Sequence, residues 1–271
     1  MKKVFVASIS KTKFDAISYS ADYDGIFKKI KDLGFDGIEL GIRNPEEFDI
    51  DAIRGLSDRY ELPVIAIATG QAYVDEGLSF TDRDEAVQRR AVERIKKHID
   101  CGKKLGGAVV IGLIRGNPPR DEKERAISDF RRNLELCIDY AGERGVEIFI
   151  EPVNRYESSL LNSLGEAKNF VDSLKMREGV FILADTFHMN IEEASIVSSI
   201  EEVFDYLGHV HVADSNRLAP GQGHIDFDSI FRKLKELGYN RYVSAEILPL
   251  PSFDEAARLS AEFLMARDSI L

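Results

Sequence analysis

Cysteine is scarce in this 271-residue chain: Cys101 and Cys137 are the only two, too few for a disulfide framework. Both fall in helical patterns, where a free thiol behaves as a small hydrophobe. Positive charge is also short, with 36 Lys and Arg against 47 Asp and Glu, a formal net charge of −11. That excess argues against DNA or RNA as the main partner, because backbone binding needs a basic face. No apolar run approaches the ~20 residues that span a bilayer. The first run, 4–9, is too short for the core of a signal peptide. The expectation is a soluble, cytoplasmic protein that binds neither nucleic acid nor membrane. No Pro/Ser linker and no low-complexity tract divides the chain.

What is present is a regular alternation. Short apolar strands are expected at 4–9, 37–41, 64–69, 108–113, 146–151, 180–185, 209–213 and 242–247. Helical patterns are expected at 23–33, 50–60, 84–105, 123–144, 164–176, 200–206, 229–237 and 253–269. Asp22 or Asp24, Asp84 and Asp228 suit N-caps, and Gly34, Gly106, Gly145 and Gly238 suit helix ends. Eight strand-then-helix units imply one parallel sheet, and eight is the number that closes a (β/α)8 TIM barrel. The expectation is a single α/β barrel domain over residues 1–271. A doubly wound open sheet is the runner-up. It gives no reason for polar residues at so many strand ends.

Those strand ends carry the chemistry. Glu39 lies near the end of the second strand, Glu151 ends the fifth, Asp185 the sixth and Glu246 the eighth, and His211 lies on the seventh. Their neighbours Ile150, Ala184, Val212 and Ala245 are apolar and face the other way. The polar side chains therefore project inward at the C-terminal mouth, where such barrels keep their sites. Several carboxylates converging there repel one another and are costly to bury without a cation. A divalent metal resolves the conflict. A carboxylate-rich set with one imidazole favours Mn²⁺, Mg²⁺ or Co²⁺, with Zn²⁺ also compatible. The stretch 209–227, HVHVADSNRLAPGQGHIDF, starts as a strand with His209 and His211 on one face and continues as a polar loop of the kind that serves a site. His209 is expected one layer deeper, packing or supporting a ligand. His98 is expected on the surface of the long helix, and His224 and Asp226 are expected to shape the loop.

The phrases IEPVNRYE (150–157), LADTFHMNIEE (183–193), HVHVADSNRLAPGQGHIDF and VSAEI (243–247) resemble the sugar isomerase/epimerase barrels, and within them the D-tagatose 3-epimerase group. The resemblance covers essentially the whole chain. It implies that Glu151, Asp185, His211 and Glu246 hold one divalent ion, usually manganese. It further implies that Glu151 and Glu246 are the acid/base pair, and that Glu157, His188 and Arg217 contact the substrate near its carbonyl end. The implied chemistry is physically coherent. One glutamate removes the weakly acidic proton beside a ketone, the metal stabilises the enediolate, and the second glutamate returns a proton to the opposite face.

One departure concerns the substrate. The chain has no tryptophan, whereas the neutral-ketose epimerases stack aromatics around the distal end of the sugar. Instead GLIRGNPP brings Arg115, and ATGQAYVDEG brings Thr69, Gln71 and Tyr73, to the ends of strands four and three. An arginine there would pair with a carboxylate. ATGQAY, GLIRG and ILADTFHMNIEE are most similar to the hexulosonate epimerases, which implies 5-keto-L-gluconate or D-tagaturonate as substrate, with Arg115, Gln71 and Tyr73 binding it. Against these stand a neutral ketose 3-epimerase (D-tagatose, D-psicose/D-fructose, L-ribulose), an aldose–ketose isomerase, a keto-inositol dehydratase and a non-catalytic sugar-binding protein. The last has no need of both Glu151 and Glu246. An endonuclease relative would need more histidine than five and a basic groove. The oligomeric state is left open.

Overall fold

In the computed structural model, which describes residues 1–13, 18, 19 and 22–270, eight parallel strands follow one another around a closed ring. They are β1 (Lys2–Ser8), β2 (Gly37–Gly41), β3 (Val64–Ala68), β4 (Ala108–Ile111), β5 (Ile148–Ile150), β6 (Val180–Asp185), β7 (Leu207–Val212) and β8 (Tyr242–Ala245). β8 pairs back onto β1 from Lys2↔Tyr242 to Phe5↔Ala245, which closes the barrel and excludes the open doubly wound sheet. A two-residue strand, Ser18–Tyr19, adds to the outer edge of β1. No described helix is long and apolar enough to cross a membrane.

The helices are α1 (Tyr23–Asp32), α2 (Ile50–Tyr60), α3 (Gly70–Glu76), α4 (Glu85–Leu105), α5 (Lys123–Gly142), α6 (Leu164–Asp172), α7 (Thr186–Glu192), α8 (Ile196–Glu202), α9 (Phe227–Glu236) and α10 (Phe253–Met265). Asp22 and Asp84 cap α1 and α4 as expected, but α9 is capped by Asp226, not Asp228. The four glycines named as helix ends all take positive φ, from 67° at Gly145 to 84° at Gly34 and Gly238. The segment expected as helix 200–206 is α8, starting earlier, followed by a 3-10 turn at Phe204–Tyr206. α3 and α7 are not among the helices expected from the sequence. Each has seven residues, too few for a 3.6-residue apolar period to show.

The alternation along each strand sorts the interior into two regions. Outward-facing Val109, Ile111, Ile148, Ile150, Ile182, Ala184, Val210, Val212, Val243 and Ala245 merge with the helices in one continuous apolar core. The inward side is separate and small: Ala66, Ala108, Val110, Phe149 and Leu183 fill the lower barrel. Above them the inward positions turn polar, at Glu39, Glu151, Asp185, His209, His211, Ser244 and Glu246, all buried. Cys101 and Cys137 are free and buried among the helices. His98 is not on the surface. It is fully buried and bridges α4 to the end of β2, with Nδ1 2.8 Å from the Arg94 carbonyl oxygen and Nε2 2.7 Å from that of Ile42. Burial lowers its pKa to about 4. The long helix packs that face against the barrel, which its many charged residues concealed in the sequence.

One irregularity sets the register of the site. Between β6 and β7, Ile182 pairs with Leu207 but Leu183 pairs with His209, so Gly208 is an inserted residue. Beyond it Asp185 lies directly beside His211. A Cβ on Gly208 would meet Phe181 Cβ at 2.4 Å and Phe149 Cε1 at 2.9 Å. Gly208→Ala is therefore expected to cost about 1–3 kcal/mol of stability, the usual penalty of overpacking. Urea melts of the two proteins measure it, and equal midpoints would refute the packing account.

Candidate active site

Four side chains meet at the C-terminal mouth. Glu151 follows β5, Asp185 ends β6, His211 lies on β7 and Glu246 follows β8. Each offers a ligand atom within 4.8 Å of the other three. The His211 Nδ1 is 3.6 Å from Glu246 Oε2 and 3.8 Å from both Glu151 Oε1 and Asp185 Oδ2. His211 Nδ1, Glu151 Oε1 and Asp185 Oδ2 are buried and have no hydrogen-bond partner. Buried polar atoms are normally satisfied, so three orphans turned on one point mark a place for a cation.

The titration behaviour agrees. Burial raises the Glu151 pKa well above the carboxylate range, and Glu246 and Asp185 push the same way. Burial likewise raises Asp185, to about 6. Burial opposes a charged His211 ring, yet Glu39 and Glu246 hold its pKa well above the ordinary value. In the bare protein, protons must offset charge that a divalent ion would offset. The donor set of three carboxylates and one imidazole fits such an ion.

Glu39 is not part of that foursome; it works from below. It is fully buried and accepts from His211 Nε2 at 3.1 Å and from His209 Nε2 at 3.0 Å. Burial disfavours its charge, but the two rings outweigh that and hold its carboxyl far below the usual range. A carboxylate at Nε2 leaves Nδ1 as the His211 atom turned to the mouth and orients the ring. His209 stacks on Phe149 at 5.5 Å and also contacts Ser244 Oγ at 2.9 Å. It supports Glu39 from the layer beneath, where the sequence pattern put it.

A narrow cavity lies above the cluster, lined by Thr69, Gln71, Leu113, Glu151, Val153, Glu157, His188, Arg217 and Glu246. Arg217 donates to Glu157 Oε1 at 2.9 Å, and its guanidinium lies 3.8 Å from Glu246 Oε2 and 4.8 Å from the Phe187 ring centroid. Its backbone has φ 62°, a costly value for a residue with a Cβ. Asp214 enforces it. This buried carboxylate accepts from the backbone N–H of Ser215, Gly221 and Ile225, folding the loop around itself. The sequence offered a signal for that role, an Asp opening a Ser-, Asn-, Gly- and Pro-rich turn.

Two residues expected at the substrate's far end are placed elsewhere. Arg115 is completely buried and does not line the cavity. Its guanidinium donates to the main-chain carbonyl of Glu151, and its Nε and NH1 have no partner. The 3-10 turn Leu113–Arg115 presents Leu113 to the cavity and rotates Arg115 away from it. Tyr73 lines a separate pocket with Ser79, Thr81 and Asn117. On α3 it stands two residues, about 200°, from Gln71, so one of them faces the cavity and the other does not. Gln71 is at the cavity and donates to Ser8 Oγ at 2.7 Å.

The chain is similar to known proteins in sequence and in fold. Residues 27–266 match the family described as xylose isomerase-like TIM barrel. An L-ribulose 3-epimerase of Methylomonas sp. (strain DH-1) is 31% identical over 79% of this chain and 74% of its own length. A 3-dehydro-D-guloside 4-epimerase of Escherichia coli (strain K12) is 29% identical over 81% of this chain and 85% of its own. Among solved structures, a D-allulose 3-epimerase from Methylomonas sp. superposes with a TM-score of 0.83 at 26% identity, covering 98% of both chains.

Proposed function

This chain belongs to the xylose isomerase-like TIM-barrel family, and from that premise we propose that it is a divalent-metal-dependent sugar epimerase inverting the carbon next to a ketone. The observation that carries the reading is the cluster of orphaned ligand atoms on Glu151, Asp185 and His211, with Glu246 beside them, next to a cavity that Glu151 and Glu246 line. The activities named for the two relatives above have one step in common: a ketose inverted at C3 and a 3-keto sugar inverted at C4 both change configuration beside the carbonyl.

Glu151, Asp185, His211 and Glu246 would hold the ion, for which we propose Mn²⁺ over Mg²⁺, Co²⁺ or Zn²⁺. When bound, it supplies positive charge against the oxygen anion that develops as the carbon acid loses its proton. Glu151 and Glu246 directly follow β5 and β8, strands three apart in an eight-membered ring. One takes the proton from one face of the carbon, and the other gives a proton to the opposite face. The roles exchange in the reverse direction. His188 donates to a substrate oxygen through Nε2–H, and Arg217, held by Glu157, binds a second oxygen. Val153 and Leu113 exclude water from the reacting carbon.

For the substrate we propose a small uncharged ketose. The resemblance of ATGQAY and GLIRG favours 5-keto-L-gluconate or D-tagaturonate, but that reading needs a cation at the far end of the cavity. Arg115 is turned away, and Arg217 is already matched by Glu157 and Glu246. Gln71 and Thr69, both neutral, line that side. The test is incubation of the Mn²⁺-loaded protein in deuterated water with D-tagatose, D-fructose, D-psicose, L-ribulose, 5-keto-L-gluconate and D-tagaturonate. Deuterium at C3 with formation of the C3 epimer, faster on neutral sugars, is expected. Faster turnover of the acids would restore the hexulosonate reading, an aldose product would make the protein an isomerase, and no exchange on any sugar would end the epimerase reading.

A further inference from the structure

Asn154 belongs to none of the groups assigned so far, yet it touches two of them. It follows β5 three residues after Glu151 and is 2% exposed. Its Nδ2 lies 2.8 Å from His188 Nδ1 and 3.0 Å from Glu157 Oε1, and its backbone N–H points at His188 Nδ1 from 3.3 Å. Its Oδ1 accepts from the Tyr156 backbone N–H at 3.0 Å. These contacts leave one orientation of the amide. Rotated by half a turn, its oxygen would face the Glu157 carboxylate and its NH2 would face an N–H. Both amide hydrogens are therefore used, one on each neighbour.

The consequence falls on His188. Its Nδ1 faces two donors and no acceptor other than Glu157 Oε1 at 4.0 Å, so Nδ1 carries the lone pair and Nε2 carries the hydrogen. That Nε2 is 3.9 Å from Glu151 Oε1, on the cavity wall. With the other tautomer His188 would present a lone pair to the cavity, which repels a ketone oxygen where Nε2–H would donate to it. The same Asn154 amide holds Glu157, which in turn holds Arg217. We propose that Asn154 is the positioning residue of the substrate-binding edge: it locks His188 as the Nε2–H donor and aligns Glu157, and through it Arg217, with a sugar's oxygens. The catalytic consequence rests on the epimerase reading; the tautomer does not.

Nitrogen-15 NMR of histidine-labelled protein, loaded with diamagnetic Mg²⁺, tests the two halves separately. The His188 resonances are assigned by their loss in His188→Gln. In the wild type, Nδ1 is expected in the lone-pair range and Nε2 in the protonated range; the reverse overturns the proposal without any variant. In Asn154→Asp a carboxylate replaces the NH2, so the hydrogen is expected to move to Nδ1. An unchanged tautomer there overturns the proposal. Asn154→Ala keeps only the weaker backbone donor and is expected to give a mixture of tautomers, a measurement still open if the Asp variant does not fold. In kinetics on the sugar that the wild type turns over, Asn154→Asp is expected to lower kcat by roughly 10–100-fold, the range seen when a supporting hydrogen-bond partner is lost. A shifted tautomer with unchanged kcat would overturn the catalytic half, while a wild type inactive on every sugar would count against the epimerase reading and leave the tautomer result standing.

Discussion

Glu151→Gln and Glu246→Gln are each expected to lower turnover by roughly 10⁴-fold or more, because each removes a proton-transfer group, worth about 10²–10⁴ alone, and also a ligand to the ion. Glutamine is close in shape, so the barrel should stay intact. The apolar core outside the strands is separate from the inward polar layer and is not touched by the change. The losses are expected in kcat more than in KM, since the proton transfers these groups make are needed in the transition state and not to bind the sugar. The check is product formation from both epimers, with circular dichroism to confirm the fold. Near-normal turnover in either variant with metal bound would break the two-base scheme.

The second large effect is on the metal. His211→Ala and Asp185→Asn are expected to remove most of the bound divalent ion and, with it, activity. His211→Ala deletes the imidazole at the centre of the cluster, whose Nδ1 lies within 3.8 Å of all three carboxylates. Asp185→Asn is the sharper variant. The Asp185 Oδ1 caps α7 by accepting from the Phe187 and His188 backbone N–H groups at 2.7 and 3.2 Å. An asparagine oxygen can keep those bonds, so the helix survives while the charge and the orphaned Oδ2 are lost. Metal content by mass spectrometry after dialysis decides it. Wild-type metal content in both variants would refute the assignment of these ligands.

The strands were legible because a barrel strand encodes two surfaces at once. β2 and β6 fall on the residues expected, and the other six differ by a few residues at their ends. The same alternation put Glu151, Asp185, His211 and Glu246 on the inward face, and the structure brings those four into one cluster. Asn154 and Asp214 were also in plain view, but their side chains act on backbone and ring nitrogens brought close only by folding. His98 was misjudged because a helix with many charged residues hides which face is packed. Arg115 and Tyr73 lie off the cavity for a more local reason. The chain leaves β3 and β4 through short helical turns, and a residue's facing there changes by about 100° per step in α3, and by more in the tighter 3-10 turn.

By itself, then, the sequence determined the fold class, through the eightfold repeat of strand and helix, and the inward layer of acids and histidines, through the two-residue period of a strand. Only the tertiary structure decided which of those groups share a point in space, which ring nitrogen of His211 and His188 faces the mouth, and whether Arg115 reaches the cavity. Periodicity specifies a side chain's face along its own element. Distance, tautomer and the choice between wall and interior depend on what the neighbouring elements present, and closing the barrel brings residues such as Glu39 and His209, 170 positions apart, to 3.0 Å.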